Sequence, residues 1–221
     1  MAYTIIDDPT VYFNTKLYTG NGGTQTISGV NFQPDLVWVK QRNGVAYHQL
    51  TDACRGVNSQ AASNAVGLGA SNTCLTAFNS DGFALGSNGD VNGNTLTYAS
   101  WNWKANGAGA SNENGSINTI KTSASTASGF SISTFTGTGS NATVGHGLGV
   151  APKMVIIKST TAGEDWTVYN EAIGATKYLV LNSTGAVGGP SAGPFNNTAP
   201  TSSVFSVGTW GSTNGSSQTL V

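Results

Sequence analysis

The stretch FQPDLVWVK, residues 32–40, places a proline ahead of Leu, Val, Trp and Val and closes the run with a lysine. A short apolar run bounded by a ladder-breaking proline and a charge reads as a strand buried on both faces. Residues 150–158, VAPKMVIIK, repeat the layout, with Pro152 for Pro34 and Lys158 for Lys40, each 118 positions on. The pattern predicts that residues 36–39 and 154–157 fill a core and that Lys40 and Lys158 return to solvent.

The shift persists beyond these runs. Leu50 falls on Val168, Asp52 on Asn170, Gly56 on Gly174, Asn64 on Asn182 and Gly67 on Gly185. Upstream, YTGNG (18–22) matches FTGTG (135–139), and downstream Phe83 and Gly86 match Phe205 and Gly208. Small drifts between such blocks are what loop insertions produce. The chain therefore reads as a tandem duplication: a first unit over 1–104, a linker over 105–115 and a second unit over 116–221. The linker, ANGAGASNENG, has no apolar anchor and predicts a flexible or loosely packed connector.

Alternation supports strands in both units. Trp166 and Val168 alternate with Thr167 and Tyr169, Phe130 with Ile132 and Thr134 along one face, and Trp101 and Trp103 flank Asn102. Asn-Gly pairs at 21–22, 43–44, 92–93, 106–107, 114–115 and 214–215 predict type I′ hairpin turns. No stretch carries a capped 3.6-residue period. The fold class is all-β: two tandem antiparallel β-sandwich units of about a hundred residues each, jelly-roll or concanavalin-like. The second unit lacks its last strand, because Val221 answers to Ala99 and nothing matches SWNW (100–103). That predicts an unpaired edge, completed by continuation of the native chain or by another subunit.

Only 9% of residues are charged and the net charge is -1, against about 25% charged in an ordinary globular domain. Such a surface argues against a nucleic-acid partner, which requires a basic stripe. Hydrophobic residues at 38%, gathered in strand-length runs, argue against disorder. The start, MAYTIIDDP, has no signal-peptide pattern, and no run approaches a membrane span, so synthesis in a cytosol without membrane insertion is expected. In that compartment Cys54 and Cys74 are expected to be reduced, partly buried thiols.

The familiar catalytic and phosphate-binding motifs are missing. GHGLG (145–149) precedes a strand rather than a helix, which argues against a phosphate cradle. His48 stands where the second unit has Trp166, and His146 stands in a Gly-rich loop open to exposure. Asp7, Asp8, Asp35 and Asp81 read as turn or strand-edge residues, and no pair of carboxylates is placed for glycoside hydrolysis. No catalytic residue is assigned, and no cofactor is expected beyond one possible ion. Asn88, Asp90, Asn92 and Asn94 fall at alternate positions and offer oxygens to calcium, against a plain hairpin loop. Trp38, Trp101 and Trp103 sit in apolar strands and predict core. Trp210 sits in a polar loop; with Asn196, Asn197 and Thr198 it is a candidate glycan-stacking site, the alternative being a Trp folded back on its own unit.

Taken together, GVNFQPDLVWVKQR, DGFALGSNGDVNGNTLTYASWNWKA and GFSISTFTGTGSNATVGHGLGVAPKMVIIK, with their neighbours, resemble repeated domains in virion proteins of tailed bacteriophages, many of them marine. The resemblance covers nearly all of the chain. It implies a concanavalin-like or jelly-roll domain in a tail-fibre, appendage or capsid-surface protein, often in tandem copies. It also implies a non-enzymatic virion surface protein, an adhesin or a capsid decoration protein. Its partners would be other virion proteins, further copies of itself in a homo-oligomer, and a host surface polysaccharide. A lectin-like module for a host glycan is the alternative. The resemblance carries no catalytic residues.

Overall fold

The computed structural model describes residues 6–67 and 74–221. Its elements are antiparallel strands, a 3₁₀ turn at Pro9–Val11 and two single-turn helices. β1 (Phe13–Thr19), β2 (Gln25–Ser28), β3 (Leu36–Gln41), β4 (Gln49–Asp52), β5 (Gln60–Ala62), β6 (Leu75–Asn79), β7 (Gly82–Leu85), α1 (Gly89–Asn92) and β8 (Thr97–Trp103) occupy the first half. β9 (Lys121–Ser125), β10 (Phe130–Thr136), β11 (Ala142–Gly145), β12 (Met154–Ile157), β13 (Thr167–Asn170), β14 (Leu179–Val180), β15 (Val204–Val207), α2 (Gly211–Asn214) and β16 (Thr219–Leu220) occupy the second.

In the first half a five-stranded sheet runs β1-β8-β3-β4-β5 and a three-stranded one runs β2-β7-β6. Period-2 alternation decides which side chains meet between them. Val37, Val39 and Tyr98 from the large sheet join Ile27, Leu75, Phe83 and Leu85 from the small one in a single buried cluster. In the second half three ladders, β16-β10-β9, β12-β13-β14 and β11-β15, surround Phe135, Val144, Ile157, Tyr169, Phe205, Val207 and Leu220. Pairing registers correspond between halves: Leu36 faces Asp52 as Met154 faces Asn170, and Tyr18 faces Tyr98 as Phe135 faces Leu220. Among the described residues every strand ladder stays within one half.

Several sequence expectations are corrected. The 36–41 strand is not buried on both faces: Val37 and Val39 are fully buried, whereas Leu36 and Trp38 are half-buried on the outer face. Its counterpart is more open still, with Met154 53% and Ile156 38% exposed. Lys158 does not return to solvent but is 1% exposed. The Asn-Gly pairs do not form type I′ turns, which need positive φ at both residues. Only Gly22 and Gly107 among them are left-handed, and Asn92-Gly93 and Asn214-Gly215 end α1 and α2 instead.

Candidate functional site

The two halves meet along a seam whose polar groups come from the chain's scarce charged residues. Asp35 begins the pattern. It lies just ahead of β3, is 2% exposed, and its carboxylate accepts from the backbone N–H of Ala105 (2.7 Å) and of Gly107 (3.1 Å). The junction is therefore not a loose linker. Ala110 also forms a two-way bridge to Thr122, and Ala105 packs with Cys54 and Ile132. A Gly/Ala/Asn segment shows no apolar anchor in sequence because its anchor is an aspartate 70 residues upstream.

Lys158 is the second such group. Its Nζ donates to the carbonyls of Glu164 (2.8 Å) and Val66 (3.1 Å), with Ala162 at 3.5 Å, so a buried ammonium ties a second-half loop to the first half. Burial pushes its pKa down, the nearby Glu164 and Asp165 carboxylates oppose that, and Arg55 adds to the lowering. Trp166 completes the tie: its indole N–H donates to the Ala62 carbonyl at 2.8 Å, and its ring packs with Leu50 and Ala61. Between these contacts lies a cavity of about 420 Å³, walled by Arg55, Asn58, Gln60, Thr134, Lys158 and Thr219. Arg55 is paired with Asp52 there. Cys54, Ala61 and Ile120 add apolar wall, so the cavity is mixed, with amides, hydroxyls and two cations among its lining.

The outer face of the large sheet carries an aromatic strip. Trp38 and Trp101 stand with centroids 6.0 Å apart, Trp38 and Trp103 6.4 Å, Phe13 and Trp103 5.0 Å, and Phe130 of the second half stacks on Trp103 at 6.0 Å. These tryptophans are thus half-buried surface of the seam rather than core.

The other candidate residues are placed as follows. Asn88 caps α1, its Oδ1 accepting from Asp90 N–H; Asp90 accepts from the Gln49 amide; Asn92 is fully buried and its Oδ1 accepts from Asn21 N–H. Asn88 Oδ1, Asp90 Oδ2 and Asn92 Oδ1 each already receive a bond from the protein, and Asn94 lies beside Gly22. Among the described residues no three His, Cys, Asp or Glu side chains gather as a metal set. Trp210 is half-buried against Tyr178 (centroids 4.8 Å), with Gly193 flush against its indole. Asn197 and Thr198 are exposed on the neighbouring loop, where Asn196 and Asn197 both have positive φ.

His146, expected to be open to solvent, is 2% exposed. Its Nδ1 accepts from Leu148 N–H at 3.1 Å, which leaves Nε2 to donate to the Thr201 carbonyl at 3.1 Å and fixes one neutral tautomer. Burial lowers its pKa. Cys54 and Cys74 are buried free thiols, both pushed up to about 12 by burial.

A family model described as a domain of unknown function, DUF7483, matches residues 8–220. The chain belongs to that family. No curated protein and no solved structure matches it. The DUF7483 match spans both halves and the junction, so the seam lies inside the family's own boundaries. Sequence reasoning missed Asp35, Lys158 and His146 as seam or loop anchors. The only trace of the buried amides was an Asn-Gly pair recurring at 92–93 and 214–215.

Proposed function

We propose that this chain is a non-enzymatic structural module of a phage particle surface, built from two tandem sandwich units of jelly-roll or concanavalin type. The observation that carries the reading is how its few ionic groups are used. Asp35, Lys158, the Asp52 and Arg55 pair and Asp81, which accepts from the N–H groups of Gly29 and Asn31, all tie backbone to backbone. Arg55 and Lys158 also line the seam cavity, yet there Arg55 is held by Asp52 and Lys158 by backbone carbonyls, so loop closure absorbs both. A low-charge exterior of Asn, Ser, Thr and Gly suits assembly by β-edge pairing and polar contacts in a symmetric oligomer. The resemblance to virion repeats supplies the setting. Cryo-EM or immunogold labelling of purified particles tests it: density or label at the surface is expected, and absence from purified virions overturns it.

A glycan-binding role is the second reading, favoured by the exposed Asn197 and Thr198 on the loop whose Gly193 abuts Trp210. Tyr178 already covers part of the Trp210 ring, leaving less aromatic surface for a sugar. A glycan array run with and without calcium separates the two readings, binding being expected only for the second.

A further inference from the structure

Asparagine is followed directly by glycine at seven places in the chain, and the fold treats one of them differently. In such a pair the backbone nitrogen of the glycine can reach the asparagine Cγ, because glycine has no Cβ to obstruct the approach. The attack needs an asparagine amide at liberty to turn over the main chain, and a following N–H that no acceptor holds.

Six pairs fail on one or both counts. Asn92 and Asn214 are fully buried, and the glycines after them are engaged: Gly93 N–H donates to the Tyr98 hydroxyl at 2.8 Å and Gly215 N–H to the Gly211 carbonyl at 3.1 Å. Asn21 accepts from Gly23 N–H at 2.8 Å and donates to the Thr24 carbonyl at 2.9 Å, while Gly22 N–H goes to the Asn92 carbonyl at 2.8 Å. Asn43 Oδ1 accepts from Thr97 N–H at 3.0 Å, and Asn88 Oδ1 from Asp90 N–H at 2.8 Å. Asn106 is exposed, but Gly107 N–H is given to the Asp35 carboxylate at 3.1 Å.

Asn114-Gly115 is the exception. Asn114 is exposed and only its backbone N–H is bonded, to Asn112 Oδ1 at 2.9 Å. Among the described residues its side-chain amide makes no hydrogen bond, and Gly115 N–H has no acceptor. Packing dictates the glycine, since a Cβ there would stand 2.4 Å from the Thr143 carbonyl oxygen. The chain beyond is pinned, Ser116 and Thr143 each donating a backbone N–H to the other's hydroxyl at 2.9 Å. The fold thus requires glycine at 115 and leaves the amide before it unheld.

We propose that Asn114-Gly115 is a self-modification site whose only reagent is water. The Gly115 nitrogen gives up its proton and bonds to Asn114 Cγ; the bond from Cγ to Nδ2 breaks, and Nδ2 leaves as ammonia with that proton. The succinimide so formed takes up a water and opens at either carbonyl, to an isoaspartyl or an aspartyl link. Either product adds a negative charge next to Glu113, in a chain whose net charge is -1. The isoaspartyl product also lengthens the main chain by a carbon between the Asn112 and Thr143 anchors. This goes beyond the proposed setting and holds wherever the protein sits.

The test holds the full chain in warm, mildly alkaline buffer and follows it by peptide mapping with mass spectrometry that separates isoaspartyl from aspartyl peptides. Conversion at Asn114 is expected to run at least about tenfold faster than at any other pair, because each of those must first break a hydrogen bond. The same chain unfolded in guanidinium chloride is expected to convert all the pairs at similar rates. Another pair leading in the folded chain, or the same ranking and spread in folded and unfolded protein, overturns the proposal. Asn114→Gln, at an exposed position and slow to close the larger ring, is expected to lose the fast phase of ammonia release with an unchanged melting midpoint. Persistence of that phase overturns the proposal as well.

Discussion

Asn92 and Asn214 stand 122 residues apart and make the same set of hydrogen bonds. Asn92 Nδ2 donates to the carbonyls of Gly23 (2.7 Å) and Gly86 (2.9 Å), while its Oδ1 accepts from Asn21 N–H at 3.0 Å. Asn214 Nδ2 donates to Ser140 (2.6 Å) and Gly208 (2.8 Å), and its Oδ1 accepts from Thr138 N–H at 2.8 Å. Each amide is fully buried and staples the end of a single-turn helix to the loop after β1 in the first half and after β10 in the second. Gly20 and Gly137 sit where that loop presses on the helix end, with no room for a Cβ against the carbonyl of Gly93 or Gly215.

Replacing either asparagine with alanine strands several buried partners, and each position is expected to cost about 3 kcal/mol. Aspartate is expected to be at least as damaging, because it keeps the acceptor but loses the N–H donors and brings a buried charge. Chemical denaturation of Asn92→Ala, Asn92→Asp, Asn214→Ala and Asn214→Asp measures this. Loss below about 1 kcal/mol at either position contradicts the equivalence of the two staples.

Asp35 holds the junction by two backbone N–H groups in a buried setting. Bonds to a charged acceptor are worth about 1.5–3 kcal/mol each. Asp35→Ala is expected to lower stability by about 3 kcal/mol and to expose residues 105–110 to proteolysis. Limited proteolysis with mapped fragments reads it, new cleavage in that segment being the expected outcome.

Stability is expected to fall as pH drops below about 6.5. His146 is buried and neutral, with its folded pKa lowered by burial, so the unfolded chain takes up the proton first. Below the unfolded value the unfolded state binds more protons and the folded state loses ground until its own, lower pKa is reached. Urea midpoints between pH 7.5 and 5 give the slope, and His146→Gln is expected to flatten it. His48, also lowered by burial and by the nearby Lys40, adds to the same slope and is checked with His48→Gln.

Trp210 packs edge-to-face on Tyr178 and against Gly193. Trp210→Ala is expected to cost about 2 kcal/mol, below the full cost of a core Trp because the ring is half-buried. Near-ultraviolet circular dichroism and thermal melting check it, an unchanged melting midpoint counting against a packing role.

Both thiols are buried with pKa values raised to about 12. At pH 8 the thiolate fraction is then about 10⁻⁴, and the thiolate is the reactive form. Thiol titration of the native protein is expected to be slow at both sites and to give two thiols promptly on unfolding.

Much of the local structure was legible because it is periodic. The apolar run at 36–39 and alternating residues at 101–103, 130–134 and 166–169 marked strands, and the recurrence of Pro34 and Pro152 with Lys40 and Lys158 marked corresponding positions. Turn chemistry was less legible: Asn-Gly pairs favour hairpin turns locally, yet at 92–93 and 214–215 the buried asparagine amide holds a helical turn instead. Of the candidate site residues, Asn88, Asp90 and Asn92 turned out to be bonded within their own half.

The sequence by itself determined an all-β chain, because period-2 alternation and glycine-punctuated turns admit little else. Only the tertiary structure decided what the scarce charges do. Whether Lys158 reaches solvent or three carbonyls, and whether Asp35 ends a strand or clamps a junction 70 residues away, depends on groups brought close by the fold. Burial raises the value of such bonds, and burial is a property of the assembled seam rather than of any local stretch.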